Sequence, residues 1–216
     1  MKTYQKIRTL WAREDTKPHN MMVGEFDKPE FKLLKDVEWT FTEKVDGTNI
    51  RVKWDGNKVT FGGKTDNAQI PANLVEKLYE LFGGESNEQV FESQFGSDPA
   101  CLYGEGYGAK IQKGGGNYGD VDFVMFDVKI GDFWLERDTI EEIASRFDVE
   151  VVPIVGRGTL QEMSDRVAIG FNSWKGEFIC EGLVARPSVE LQNHYGERII
   201  TKLKHKDFLK INHDQH

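Results

Sequence analysis

The chain has 216 residues, of which 38% are hydrophobic and 30% charged, with 14 Phe and 5 Trp. That is enough apolar material for one well-buried core or two tightly joined lobes; it argues against disorder and leaves no room for several independent domains. The formal net charge of −8 argues against a uniformly basic nucleic-acid binder, because phosphate affinity comes from Lys and Arg displacing counterions.

Short strands dominate in chain order. Trp39 to Glu43 alternates apolar and polar residues, and Asn49 to Trp54 and Lys58 to Phe61 flank Asp55-Gly56-Asn57, a hairpin signature. Helical spacing follows, with Leu74, Leu78 and Leu81 on one face of Ala72 to Phe82 and a short helix over Asn87 to Phe95. Ala100 to Glu105, Val121 to Ile130, Phe133 to Glu136 and Glu150 to Val155 read as strands, with a turn at Gly131-Asp132. Asp138-Thr-Ile-Glu141 and Thr159-Leu-Gln-Glu162 each have the spacing of a capping box before a helix. Phe178 to Arg186 and Arg198 to Lys204 complete the strands. Recurrent hairpins without a G-x-G-x-x-G fingerprint disfavour a parallel βαβ protein and a dehydrogenase. The expected fold is α+β: antiparallel sheets flanked by helices, as a single domain over residues 1–216.

No run approaches the roughly 20 apolar residues of a membrane-spanning helix, and the start Met1-Lys2-Thr3-Tyr4-Gln5 has no apolar signal core. A cytoplasmic location without membrane contact is expected. Cys101 and Cys180 lie far apart with no CxxC partner, so both read as buried small residues instead of a disulfide or zinc site. Charge is segregated: Arg198, Lys202, Lys204, Lys206 and Lys210 stand against Asp207 alone, whereas Glu76 to Asp98 is rich in Glu. This allows a basic face on an acidic protein.

The segment with the most chemistry is Glu43-Lys44-Val45-Asp46-Gly47-Thr48-Asn49, a lysine at the end of a strand followed by a turn that Gly makes possible. A lysine nucleophile must shed its proton from an ordinary value of about 10.4, through desolvation or neighbouring cations; Lys202 and Lys204 are candidates for that field. By itself K-x-D-G also fits a plain hairpin. Lys202 and Lys204 alternate along one strand and face the same side, as two phosphate contacts or as a solvated face.

The order of later segments resembles the covalent nucleotidyltransferase superfamily of DNA ligases, RNA ligases and capping enzymes. Lys44-Val-Asp-Gly resembles its motif I, Tyr103-Gly-Glu105-Gly motif III, Phe123-Val-Met-Phe126-Asp127 motif IIIa, Glu181-Gly-Leu-Val-Ala-Arg186 motif IV and Lys202-Leu-Lys204 motif V. The run from Gly104-Glu105 through Ile111-Gln112-Lys113 and Tyr118-Gly119-Asp120 to Phe126-Asp127, with Thr48-Asn49, resembles the phage-type, nick-sealing RNA ligases in particular.

That resemblance implies two antiparallel sheets around a nucleotide cleft, in the manner of a nucleotidyltransferase or ATP-grasp-like ligase. It implies an ATP-dependent RNA ligase that joins 3′-hydroxyl and 5′-phosphate RNA ends through AMP carried covalently on Lys44. A phage-like RNA-repair enzyme acting as a monomer in the host cytoplasm is the corresponding setting. Lys44, Lys202 and Lys204 are the implied catalytic residues. Glu105 resembles the acid that binds the ribose hydroxyls, Phe126 the aromatic stacked on adenine, and Glu181 the carboxylate for Mg²⁺ or Mn²⁺. Glu43 belongs either at the adenine edge or simply on its strand, and Asp46 either holds a metal-bound water or serves the turn. Asn49 resembles a residue of the strand-joining step. Lys64, in Phe61-Gly-Gly-Lys64, stands where the family carries Arg, and replaces its charge but not its bidentate fork. Arg51 either approaches phosphate or stays exposed. Gly114 to Asn117 reads as a lid near substrate or a plain flexible loop. Only Leu209 to His216 lie beyond the stretch that resembles the family, so no C-terminal OB-fold or accessory domain is expected. A minimal DNA ligase, a capping-type guanylyltransferase and a noncatalytic nucleotide- or RNA-binding module are the alternatives.

Overall fold

The computed structural model describes residues 3–213. The chain divides into two compact units: one holds residues 3–4 and Asp46–Val152, the other Gln5–Val45 and residues 153–213. Mixed α and β structure with mainly antiparallel sheets matches the expected α+β class.

In the first unit, Thr48–Trp54 pairs antiparallel with Val59–Gly62 and with Ala100–Tyr107, which pairs antiparallel with Asp122–Ile130. Phe133–Trp134 folds back on this last strand through the Gly131 turn. Glu150–Val151 adds a parallel edge, a departure from an all-antiparallel sheet. Ile50, Val52 and Trp54 point to the sheet's buried face, as the period of two requires, and meet helices Ala72–Phe82 and Glu85–Phe95. Leu74, Leu78 and Phe82 form the buried stripe of the first helix; Leu81, one position off, is only partly buried. Phe82 touches Phe91, Phe123 and Phe147. An alanine at such a hub costs about 3–5 kcal/mol.

The second unit is built on a sheet in the order Arg8–Thr9, Thr201–Lys204, Gly182–Pro187, Trp39–Lys44, Ile154–Gly158. Its contacts are antiparallel except between Arg8–Thr9 and Thr201–Lys204. Trp39, Phe41, Leu183, Ala185 and Leu203 form one buried face with helix Leu160–Ile169. That helix carries the expected capping box: Thr159 Oγ1 accepts from the Glu162 amide and Glu162 accepts from the Thr159 amide. The other expected box does not form. Helix Arg137–Arg146 starts two residues earlier than a cap at Asp138 requires, its N-cap Glu136 makes no side-chain cap, and Glu141 pairs with Arg137. An Asp inside the first turn cannot cap it, although its charge suits the helix dipole.

Strands Trp11–Arg13 and Met21–Phe26 form a separate two-stranded sheet. They carry no compact turn dipeptide, which is why the sequence pattern does not reveal them. Cys101 and Cys180 are buried and free, as expected. Burial pushes the Cys101 thiol up to about 11, and burial followed by the charge of Glu43 pushes that of Cys180 up to about 12. Both therefore stay protonated near neutrality.

Candidate active site

Strand register builds the lysine cluster. Gly182 pairs with Lys44 on one side and with Lys204 on the other, so both lysines end neighbouring strands on the same face, with Glu181 one residue before the strand between them. Two interstrand spacings amount to about 10 Å, a gap that one carboxylate can bridge. Lys44 Nζ donates to Glu181 Oε2 at 2.5 Å, and Lys204 Nζ lies 2.5 Å from Glu181 Oε1. A Cβ at Gly182 would lie 1.9 Å from the Leu203 carbonyl oxygen, so only glycine permits this approach. Burial drives the Glu181 carboxyl upward, but the two lysines outweigh it and hold the group below the usual carboxylate value. Lys202 and Arg186, both half-buried, alternate onto the same face.

The adjacent Glu43 points the other way. In the Trp39–Lys44 strand, Trp39, Phe41 and Glu43 are buried while Thr40, Thr42 and Lys44 are partly open. Glu43 is 2% exposed; its Oε1 accepts from Ser173 Oγ at 2.6 Å and its Oε2 from the Trp174 amide at 3.0 Å. Burial raises its carboxyl above the usual value against the lowering effect of these two bonds. The carboxylate faces the core and anchors the Ser173–Trp174 turn. Sequence reasoning missed Ser173 and Trp174, which no local pattern ties to Glu43.

In the first unit, Asn49 and Glu105 lie opposite each other on neighbouring strands and so share a face. Asn49 Oδ1 is inaccessible and accepts no hydrogen bond. Phe126 is the extra residue of a β-bulge: Tyr103 pairs with Asp127 and Gly104 with Met125, leaving Phe126 unmatched between them. A bulge re-aims a side chain, and Phe126 is partly open where Phe123, Val124 and Met125 are buried. Its ring meets Tyr4 edge-on at 5.1 Å, and the Tyr4 hydroxyl donates to Asp127 at 2.6 Å.

Arg51 does not stay exposed. It is fully buried, donating from Nε to the Gly63 carbonyl and from Nη2 to Asp66, both at 2.8 Å. It ties down the turn that presents the exposed Lys64. Within the segment Gly114 to Asn117 the chain is not a plain loop, since Gly115–Tyr118 forms a short 3₁₀ helix. Asp46 lies against it, donating its amide to the Tyr118 hydroxyl at 3.3 Å. Gly47 is needed for close approach: a Cβ there would lie 2.2 Å from the Gly106 carbonyl oxygen. Among the described residues no three His, Cys, Asp or Glu side chains gather as a metal cluster, and no helix is long and apolar enough to cross a membrane.

Residues 37–204 match the RNA ligase family. Among solved structures, a Naegleria gruberi RNA ligase with PPi is 20% identical, with a TM-score of 0.62, over 86% of this chain and 55% of that one. A variant of the same ligase with AMP and Mn is 19% identical, with a TM-score of 0.61, over the same shares of the two chains. Another, with ATP and Mn, is 17% identical with a TM-score of 0.62, over 97% of this chain and 61% of that one. The chain thus spans little more than half the length of these proteins, and at such identities the likeness establishes the fold. The matched segment contains Lys44, Glu105, Phe126, Glu181, Lys202 and Lys204, and the chain belongs to the RNA ligase family.

Proposed function

We propose that this chain is the nucleotidyl-transferring part of an ATP-dependent RNA ligase that carries AMP on Lys44. The observation that carries the proposal is the register of three strands around Gly182, which gathers Lys44, Glu181 and Lys204 on one face. A lone surface lysine has no need of such a cluster, whereas phosphoryl transfer depends on positioned charge.

In the first step the Lys44–Glu181 ion pair opens and Nζ, having lost its proton, attacks the α-phosphorus of ATP; pyrophosphate leaves and a phosphoramidate remains. AMP then passes to a 5′-phosphate, and a 3′-hydroxyl attacks that phosphorus and expels AMP. Lys202 and Lys204 neutralise charge building on the transferred phosphate. Glu105 takes the ribose hydroxyls, Phe126 the adenine face, and Asn49, with its unsatisfied Oδ1, serves the joining step. Lys64 supplies positive charge from its exposed turn. Glu43 acts by anchoring the Ser173–Trp174 turn.

The donor set around Glu181 fits a divalent cation conditionally. Two ammonium groups oppose a dication, but a phosphoramidate on Lys44 removes one of them and returns an oxygen of Glu181. Mg²⁺ commonly makes do with one or two carboxylates plus phosphate oxygens and water. When bound, the cation would stabilise charge on phosphate oxygens. Glu181 and Asp46 are the residues proposed to hold it or its water.

The test is incubation with ATP or GTP labelled at the α-phosphate and Mg²⁺, followed by denaturing electrophoresis. Label from ATP that survives denaturation is expected. No label removes the nucleotidyl-lysine reading, and label from GTP alone replaces it with guanylyl transfer.

A further inference from the structure

At the opposite end of the Thr201–Lys204 strand from Lys204, the second unit holds a cavity of about 220 Å³. Arg198, Ile199 and Ile200, which line it, lead directly into Thr201, and lining residue Arg8 pairs with Thr201 across the sheet. Three residues of strand separate this end from Lys204, about 10 Å.

The lining carries both signs of charge. Arg8 is bound by Asp27 through two hydrogen bonds of 2.7 Å, and Arg198 by Glu190 at 2.6 and 3.0 Å. Lys6 and Lys28, also in the lining, have no salt-bridge partner among the described residues. Glu30 supplies the opposite charge: its Oε2 is sealed from solvent and accepts no hydrogen bond, and its Oε1 receives only a 3.5 Å contact from the Asn193 amide. That amide also bonds Glu197 at 3.0 Å, so it can leave Glu30 without losing every partner. An unsatisfied carboxylate oxygen costs free energy, and donors that reach the Glu30 carboxylate once Asn193 turns to Glu197 would recover it.

A simple anion would meet Glu30 and Glu197, and a simple cation would meet Lys6 and Lys28. A ligand with an anionic end and a neutral end rich in donors satisfies both. Guanine alone among the common bases presents two adjacent donors, N1–H and the N2 amino group, to one carboxylate; adenine and cytosine set an acceptor beside their amino group, and uracil flanks its N–H with two carbonyls. We propose that this cavity is a guanosine subsite for the RNA strand, with Glu30 reading the base edge and Lys6 and Lys28 holding phosphate. The assignment of an RNA strand rests on the ligase reading. At about 3.4 Å per stacked nucleotide, the site lies about three bases from the Lys44 cluster.

The test is fluorescence anisotropy of the intact chain with labelled RNA hexamers of uridine bearing one central guanosine or one central adenosine. The guanosine hexamer is expected to bind about tenfold more tightly. Glu30→Gln should erase that preference, and Lys28→Ala should weaken both hexamers while keeping it. Equal binding of the two hexamers, or a preference that survives Glu30→Gln, overturns the proposal. GMP should compete far less well than the hexamer; equal competition would overturn the RNA-strand assignment in favour of a free nucleotide. A guanosine preference in a parent chain that takes no label from ATP would sink the ligase reading and leave the subsite standing.

Discussion

Glu43 and Lys44, neighbours in sequence, lie on opposite faces of the same sheet: the carboxylate is buried beneath the Ser173–Trp174 turn and the ammonium donates to Glu181 on the open side. The two side chains therefore do different work. Alternation along the strand forces this separation, since successive Cβ atoms point to opposite faces.

Lys44→Ala should abolish covalent labelling by ATP while the protein stays folded, because Glu181 keeps Lys204 as a partner. Electrophoresis after labelling, with circular dichroism to check folding, tests this. Labelling at the parent level would exclude Lys44 as the nucleophile.

Lys204→Ala and Lys202→Ala should each slow adenylylation and end joining by more than about tenfold, equivalent to roughly 1.4 kcal/mol of transition-state stabilisation. Single-turnover rates measure this loss. Parent-like rates in both variants would make the pair an ordinary surface feature.

Glu181→Gln should cost about 3 kcal/mol, because two lysines lose the carboxylate that joins them. Its folded carboxyl lies below the ordinary value of 4.5, so its contribution is complete above that pH and is lost as pH falls through the folded value. Chemical denaturation from pH 7 to pH 3 should show a shallower acid loss in the variant. An unchanged acid limb would contradict the pairing.

Glu43→Gln should have the reverse signature. The folded carboxyl lies above 4.5, so the native state holds its proton longer, and stability declines as pH rises from about 4.5 through the folded value. The variant should lack that decline. Glu43→Ala should cost about 1–3 kcal/mol by stranding the Ser173 hydroxyl and the Trp174 amide.

Pre-adenylylated protein should seal a nick with RNA at the 3′-hydroxyl side faster than an all-DNA nick, because the 2′-hydroxyl offers a donor and an acceptor and favours A-form sugars. Equal or faster sealing of DNA would point to a minimal DNA ligase.

The alternation in Trp39–Lys44, the hairpin around Gly56, the buried stripe of Ala72–Phe82 and the Thr159–Glu162 cap were legible in the sequence, because each depends on residues a few positions apart. The family likeness likewise followed from ordered motifs within residues 37–204. Alternation even contained the separation of Glu43 from Lys44, but not the groups that receive Glu43, which lie 130 positions away. Register, bulges and burial join distant segments and are set by packing, which no local pattern encodes. Only the tertiary structure decided that Glu181 joins Lys44 and Lys204, that a bulge re-aims Phe126, and that Arg51 is a buried strut of the Gly63–Asp66 turn. Each depends on which strands lie side by side and on which polar groups must find partners once water is excluded.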